Sequence, residues 1–342
     1  MSSADPVSHT SATDARLVLA VDGGNSKTDV VVATAGGEVL GFVRGPGSSP
    51  HNLGLTGAVR LLNRLTAQAR AQARLAADTR IELAAVYLAG ADLPIEVQRL
   101  HTALTATNWA ASYVVDNDTF ALLRAGTSSP DAVAVVCGAG INCVGRVADS
   151  RTARFPSLGE ISGDFGGGHH LARLALWHAA RGEDGRGRPT ALTAAVAAHF
   201  RQPTVESVSG ALHLGQIPME RINGLGPVLF AVAADGDEVA RRIVAEQVAE
   251  ICALHRVAAD RLGLRGAAHA VVLGGGVLRA RHPQLHEPVV AGIRAYAPRA
   301  EVSVVTEPPV VGAALLALDT LGAAPAAETA LRQALRHAVG TA

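Results

Sequence analysis

From Leu17 to Val43 the chain reads as three short apolar, β-branched runs, LVLAV, TDVVVAT and EVLGFV, broken at Asp-Gly-Gly-Asn and at Gly-Gly. Short glycine turns join neighbouring antiparallel strands, so this pattern predicts a three-stranded meander. The apolar spacing then lengthens. GAVRLLNRLTAQARAQARLAADT (57–79) has a helical period and alanine-rich propensity. IELAAVYLAG predicts a buried strand, PIEVQRLHTALTATN a helix, ASYVVDND a strand ending on acids, and TFALLRAG the start of a further helix. Strands alternating with helices predict a mixed sheet with helical cover.

At Asp131 the opening pattern returns. AVAVVCGAGINCVGRVA sets strand, glycine turn and strand in the order of LVLAVDGGNSKTDVVVA, which reads as an internal pseudo-repeat. Two similar lobes would place two glycine hairpins facing each other across a cleft. From Leu171 the pattern is mostly helical, with LARLALWHAARGEDGRG ending in a polar loop and residues 235–263 forming one long amphipathic helix. HAVVLGGGVLRAR predicts a buried strand running through three glycines into a helix, and EVSVVTEPPVVGAALLALDTLG a last strand and helix. The alanine-rich tail beyond carries no pattern read here.

Composition narrows the classes. A chain of 342 residues, 49% apolar and 18% charged, suits two domains with substantial cores. Zero formal net charge gives no global field to gather nucleic acid or an anionic membrane. No apolar run of about twenty residues predicts a transmembrane helix. MSSADPVSHTSATDA lacks the basic start and apolar stretch of a signal peptide and reads as a disordered tail. Cys137, Cys143 and Cys252 form neither a disulfide framework nor a CxxC pair, which makes a reducing cytoplasm the simplest location.

Lys27 is the sole lysine, and it stands in the first glycine turn. Either chance put it there or the turn holds something anionic. Consecutive N–H groups of a tight turn form a concave anion site, and glycine removes the Cβ from the approach path. Asp22-Gly23-Gly24-Asn25-Ser26-Lys27-Thr28 adds hydroxyls, a cation and an acid able to hold Mg²⁺ through water. The turn feeds a strand and lacks GxxxxGK[ST], so it is no Walker A loop. Gly138-Ala139-Gly140 offers backbone amides, while Gly274-Gly275-Gly276, between strand and helix, suits close approach of a flat ring or ribose.

Taken in order, VDGGNSKTD, CGAGINCVG, VVLGGGVL and EPPVVGAALLAL resemble the motifs of the sugar kinase–hsp70–actin superfamily. Within it they resemble the N-acetylglucosamine kinase and BadF/BadG/BcrA/BcrD ATPase family, from about Leu17 to Leu321. The resemblance implies an α/β fold of two actin-like (ribonuclease H-like) lobes with an interlobe ATP and sugar cleft. It implies a first lobe over 16–118, a second over 119–307 with helical insertions, and a segment 308–342 returning to the first. It further implies Mg-ATP as cofactor, a small sugar as partner, no nucleic acid or membrane partner, and a homodimer.

In the sugar kinases of this family an Asn-Asp pair ending the VVDND strand supplies the base, which implies Asp118, with Asp116 and Asn117 orienting sugar or a metal-bound water. The plain alternative is that Asp116, Asn117 and Asp118 cap the next helix. A Gly-Asp-x-Gly element implies that Asp164 binds sugar hydroxyls, with Glu160 a neighbouring alternative. His169 and His170 suit a helix start or the surface, and Arg146, Arg151 and Arg154 a solvated loop.

The sequence departs from that family in three places. GPGSSPHNLG has Ser49 where the family has a sugar-touching asparagine, leaving Ser49, His51 or Asn52 to do that work. The second turn has Ala139 and Ile141 in place of hydroxyls, though Asn142 and Cys143 match. The third element reads Gly163-Asp164-Phe165-Gly166-Gly167. The leading expectation is an amino-sugar kinase acting on the 6-hydroxyl of N-acetylglucosamine or glucosamine. The alternatives are an activator of a radical dehydratase, an ATP or sugar sensor without turnover, and a kinase of N-acetylmuramic acid or an amino-sugar antibiotic.

Overall fold

The computed structural model describes residues 16–340, so the expected tail over 1–15 lies outside the described residues. The chain divides into two compact units, one built from residues up to Ala125 together with Glu307 onward, the other from Gly126–Thr306.

In the first unit β1 (Leu17–Gly23), β2 (Lys27–Thr34) and β3 (Val39–Pro46) form the expected meander. After α1 (Pro50–Gln72), β4 (Leu83–Leu88) joins β1 in parallel. Then α2 (Pro94–Thr105) leads to β5 (Ser112–Asn117), parallel to β4, and β5 runs directly into α3 (Asp118–Gly126). The sheet order is β3-β2-β1-β4-β5. β1 is buried along its whole length because both faces of this central strand are covered.

The helix expected over 57–79 begins earlier and stops sooner. Pro50 sits in its first turn, where the fixed proline φ favours helix entry and no N–H is needed. Gly54, at φ 67° and ψ 163°, then interrupts it, so the regular apolar period starts only beyond that residue.

The second unit repeats the plan. β6 (Ala132–Cys137), β7 (Ile141–Arg146) and β8 (Thr152–Arg154) are antiparallel neighbours. A helical insertion follows, comprising α4 (Gly168–Glu183), α5 (Leu192–Phe200), α6 (Val205–His213), α7 (Leu225–Ala234) and α8 (Glu238–Leu262). β9 (His269–Gly274) then pairs parallel with β6. The short α9 (Gly276–Arg279) and α10 (Pro283–Tyr296) precede β10 (Ala300–Val304), parallel to β9. The order β10-β9-β6-β7-β8 is that of the first sheet read backwards, with each strand in the matching role. The pseudo-repeat is therefore real in topology. Arg146 and Arg154 belong to β7 and β8 rather than to a solvated loop, and only Arg151 between them is exposed.

Returning to the first unit, α11 (Pro309–Thr320) is apolar nearly all round and buried. A Cβ on its Gly312 would fall 1.7 Å from the carbonyl oxygen of Ala121, so only glycine lets α11 cross α3 this closely. The tail forms α12 (Pro325–Gly340), which buries Ala327, Leu331 and Leu335 on one face. Its Arg332 donates to the carbonyls of Ala125 and Arg124 and pairs with Glu307 and Glu328.

Candidate functional site

The first turn and the loop after β3 form one assembly. Gly24 N donates to Lys27 O at 2.9 Å, and Ser48 N donates to Gly24 O at 3.1 Å. Thr28 Oγ1 donates to Pro46 O at 2.8 Å and lies 2.8 Å from Ser48 Oγ. A Cβ on Gly23 would meet Leu88 Cδ2 and Ser48 Oγ at 2.3 Å, so packing alone demands glycine there. Thr28 and Ser49, both expected against ligand, are fully buried instead. Their hydroxyls lie inside the assembly because the loop folds down over the hairpin. The side chains left exposed at its surface are Asn25, Ser26, Lys27, His51 and Asn52, with Asn52 Nδ2 donating to Asn25 Oδ1 at 3.3 Å.

Beneath this surface lie charges that the sequence reading passed over. Asp29 is fully buried on β2 and takes Arg44 Nε at 2.7 Å and Nη at 3.0 Å, with Lys27 Nζ farther away at 3.4 Å. A buried carboxylate needs such partners. The signal was a lone acid inside TDVVVAT with an arginine in the next strand. Asp22, opposite Asp29 in the β1–β2 register, feels the same Arg44 and Lys27 but only through space. Burial, then the charges of Asp118 and Asp29, raise its proton affinity well above the usual carboxylate range. A carboxyl whose ionised form is opposed by burial and by two neighbouring carboxylates is one that a divalent cation would suit.

The other part of the site comes from the ends of β4 and β5. Asp118 opens α3, where nearby backbone N–H groups favour its ionised form, yet burial pushes its pKa up to about 6. Asn117 does what the capping alternative required, its Oδ1 accepting Thr119 N at 2.9 Å. Its Nδ2 donates to Asp92 Oδ1 at 2.8 Å, and Asp116 Oδ1 accepts Asn117 N at 2.7 Å. Asp92 was missed because LAGAD reads as an ordinary turn. Burial, then the charge of Asp118, raise its pKa to about 7, with His51 opposing.

His51, Asp92 and Glu96 bring potential metal-binding atoms within 4.8 Å of one another. Glu96 is already committed: Oε1 meets His51 Nε2 at 3.0 Å, and Oε2 accepts the N–H groups of Asp92 at 3.1 Å and Leu93 at 2.9 Å. His51 and Glu96 form a hydrogen-bonded brace between α1 and α2, which Asp92 joins through its backbone N–H.

In the second unit Gly138 N donates to Gly140 O at 2.9 Å, closing the turn between β6 and β7. The carbonyls of Gly138 and Ala139 accept the N–H groups of Gly168 at 2.7 Å and His169 at 3.0 Å, which seats the start of α4 on the turn. A Cβ on Gly167 would lie 2.6 Å from Gly140, and one on Gly275 2.4 Å from the Cys137 carbonyl, so both glycines are structural. Gly140 and Gly276 have open space on the Cβ side. Nothing in the fold demands glycine at those two positions, which leaves ligand approach as a reason for it. Gly274 is the buried end of β9, and Asn142 Oδ1 accepts Cys143 N at 2.6 Å.

Asp164 turns inward on its own loop, Oδ2 accepting Gly159 N at 2.9 Å and Ser162 Oγ at 2.8 Å, while Glu160 is exposed. His169 is exposed at the start of α4, and His170 packs edge-on against Phe165. Burial raises the Cys137 thiol to about 12 and pushes Cys143 up as well. Both thiols are thereby held in the protonated form.

A model of the BadF/BadG/BcrA/BcrD ATPase family matches residues 19–317. The chain belongs to this family. An N-acetylmuramic acid/N-acetylglucosamine kinase of Clostridium acetobutylicum is 24% identical over 266 residues, covering 77% of this chain and 86% of its own. An N-acetyl-D-glucosamine kinase of Dictyostelium discoideum is 24% identical over 314 residues, 89% of this chain and 98% of its own. Among solved structures, a Chromobacterium violaceum protein provisionally assigned as an N-acetylglucosamine kinase matches with TM-score 0.66 at 21% identity, covering 88% of this chain and 99% of that one. A ROK family glucokinase of Streptomyces griseus, in complex with glucose and AMPPNP, matches with TM-score 0.54 at 18% identity, covering 88% and 98%. These structures bear out the expected fold class, actin-like α/β lobes, for both units of this family member. No helix among the described residues is long and apolar enough to cross a membrane.

Proposed function

We infer that this family member is an ATP-dependent kinase transferring phosphate to a hydroxyl of an amino sugar, with N-acetylglucosamine or a close relative as acceptor. The observation that carries the reading is Asp118, held at the start of α3 with its pKa raised to about 6. Such a carboxyl is ionised at neutral pH and still basic enough to draw a proton from a sugar hydroxyl, a role worth about 10²–10⁴-fold in rate. Support for sugar chemistry comes from the names of the two relatives.

Mg-ATP, when bound, supplies the phosphoryl group and the charge that neutralises it in transfer. Asn25, Ser26 and Lys27 are the exposed groups of the first turn and would engage its phosphates, with the Gly24 backbone alongside. Asp22 would hold the metal ion through water. Gly138, Ala139 and Gly140 would meet phosphates through their backbone, and Gly275 and Gly276 would border the adenosine. His51 and Asn52 are the exposed polar groups of the loop after β3 and would meet the sugar. Asp118 would accept the hydroxyl proton as the oxygen attacks.

The test is ADP release with Mg-ATP against glucosamine, N-acetylglucosamine, N-acetylmuramic acid, glucose and aminoglycosides. Stimulation by an amino sugar is expected. A rate independent of every sugar would overturn the reading.

A further inference from the structure

Asp92 has a partly buried carboxyl whose one described hydrogen bond is accepted from Asn117 Nδ2. It does not cap α2, because Glu96 takes the N–H groups of Asp92 and Leu93. Holding it there is unfavourable, since burial and the nearby Asp118 both oppose its ionisation. A group kept in its destabilised state for a single hydrogen bond to Asn117 points to function.

Its surroundings say which function. Asn117 has its Oδ1 on Thr119 N and its Nδ2 on Asp92, so both ends of its amide are engaged within the protein. The loop bearing Asp92 lies tight on the loop after β3. Gly90 adopts φ +85°, and a Cβ there would sit 3.1 Å from Ser49 Oγ and 3.2 Å from the His51 ring. Ser49 Oγ is itself buried without a hydrogen-bond partner. Around the Asp92 carboxyl stand Asp118 from α3, His51 from α1, Glu96 from α2 and Asn117 from β5. Only Oδ1 of Asp92 carries a described hydrogen bond.

We propose that Asp92 is a second carboxyl of the acceptor site, whose Oδ1 fixes Asn117 and whose Oδ2 receives a sugar hydroxyl neighbouring the one phosphorylated. This rests on the kinase reading, because a hydroxyl within hydrogen-bond reach of Asp118 brings the rest of its ring beside the residue next to Asn117. Asp92 thereby binds the sugar and, through Asn117, positions the first turn of α3 and its base. A hydroxyl donating to Oδ2 favours the ionised carboxyl, so sugar binding and proton release from Asp92 are linked.

The experiment is calorimetric titration of sugar without nucleotide, one pH unit below and one above the Asp92 midpoint of about 7, on the full-length wild type and Asp92→Asn. Wild-type affinity is expected to fall roughly twentyfold at the lower pH, about tenfold from Asp92 and about a further factor of two from Asp118. Asp92→Asn should bind sugar at least roughly tenfold more weakly, lose most of that pH dependence, and keep the wild-type affinity for ATP. If no sugar binds the wild type, both the kinase reading and this proposal fall. If sugar binds with the expected pH response but is not phosphorylated, the kinase reading falls and Asp92 stands as a sugar contact without the neighbouring phosphorylated hydroxyl. If Asp92→Asn binds sugar with wild-type affinity and pH response, the Asp92 proposal alone falls. Should the variant fail to fold, the wild-type pH response decides, since a fall of no more than the roughly twofold due to Asp118 overturns the proposal.

Discussion

Arg44 grips both carboxylate oxygens of Asp29, at 2.7 and 3.0 Å, and so leaves Lys27 only a 3.4 Å contact with the same acid. The two cations therefore divide the work. Arg44 balances the buried charge, while Lys27 is left half exposed at the turn.

Arg44→Met should destabilise the protein by about 3 kcal/mol, because it strands a buried carboxylate. Lys27→Met should change stability by less than about 1 kcal/mol, its pair being half exposed, yet raise the KM for ATP by roughly tenfold or more. Chemical denaturation and ATP-dependence kinetics on the two variants check this division. Equal loss of stability would remove Lys27 from the phosphate role.

The pH profile of turnover should fall on the acid side with a midpoint near the Asp118 value of about 6, because only the ionised carboxyl accepts a proton. Asp118→Asn should keep its melting temperature and ATP binding while losing about 10²–10⁴-fold in kcat. Asp92 adds a stability effect of defined sign. Its folded-state pKa is raised to about 7, so the native protein holds a proton that the unfolded chain releases, and stability falls as pH rises from the ordinary carboxylate range towards 7. The difference in unfolding free energy between Asp92→Asn and wild type should grow across that window.

In the second unit, His255 on α8 and His269 on β9 stack with Nε2 atoms 3.2 Å apart. His269 Nδ1 lies 3.0 Å from Ala267 O, an acceptor to which the ring donates. Burial, then the neighbouring His269, lower the His255 pKa to about 4. The unfolded chain therefore binds protons first, and stability should drop as pH falls from about 6.5 towards 4. His255→Phe should flatten this acid limb in urea denaturation, and an unchanged slope would show that other groups set it.

Gly312→Ala should be among the most damaging substitutions of a single methyl. The new carbon would occupy the space of the Ala121 carbonyl, forcing α11 and α3 apart. A loss of about 3 kcal/mol is expected, together with a fall in kcat larger than any change in KM for ATP, because α3 begins at the base. Melting curves and steady-state kinetics measure both.

The strands and their glycine turns were legible in the sequence because buried strands write themselves as apolar runs and turns as Asp-Gly and Gly-Gly. Depth was not. Thr28 and Ser49 look like ligand contacts beside a glycine turn, and nothing in one dimension says that the loop after β3 folds over them. Asp29 could have been found, since an acid amid TDVVVAT has either a partner or a cost. Asp92 could not, because its partner Asn117 lies on another strand, brought near only by the β4–β5 pairing. The helix α12 was hidden by alanine, whose apolar positions dilute the Leu331–Leu335 stripe until α11 and β3 are there to receive it.

The Arg332 anchorage of α12 to Ala125 and Glu307 also bears on how the protein is made. The second unit is one continuous stretch, Gly126–Thr306, and has everything it needs once that stretch leaves the ribosome. The first unit is synthesised in two instalments. Its β1–β5 sheet emerges early but must wait for α11 to cover β1 and for Arg332 to fasten the end of α3. Nascent chains released before α11 should therefore hold a folded later half and an earlier half that stays open to proteases and chaperones, reversing the usual order of N-terminal domains first.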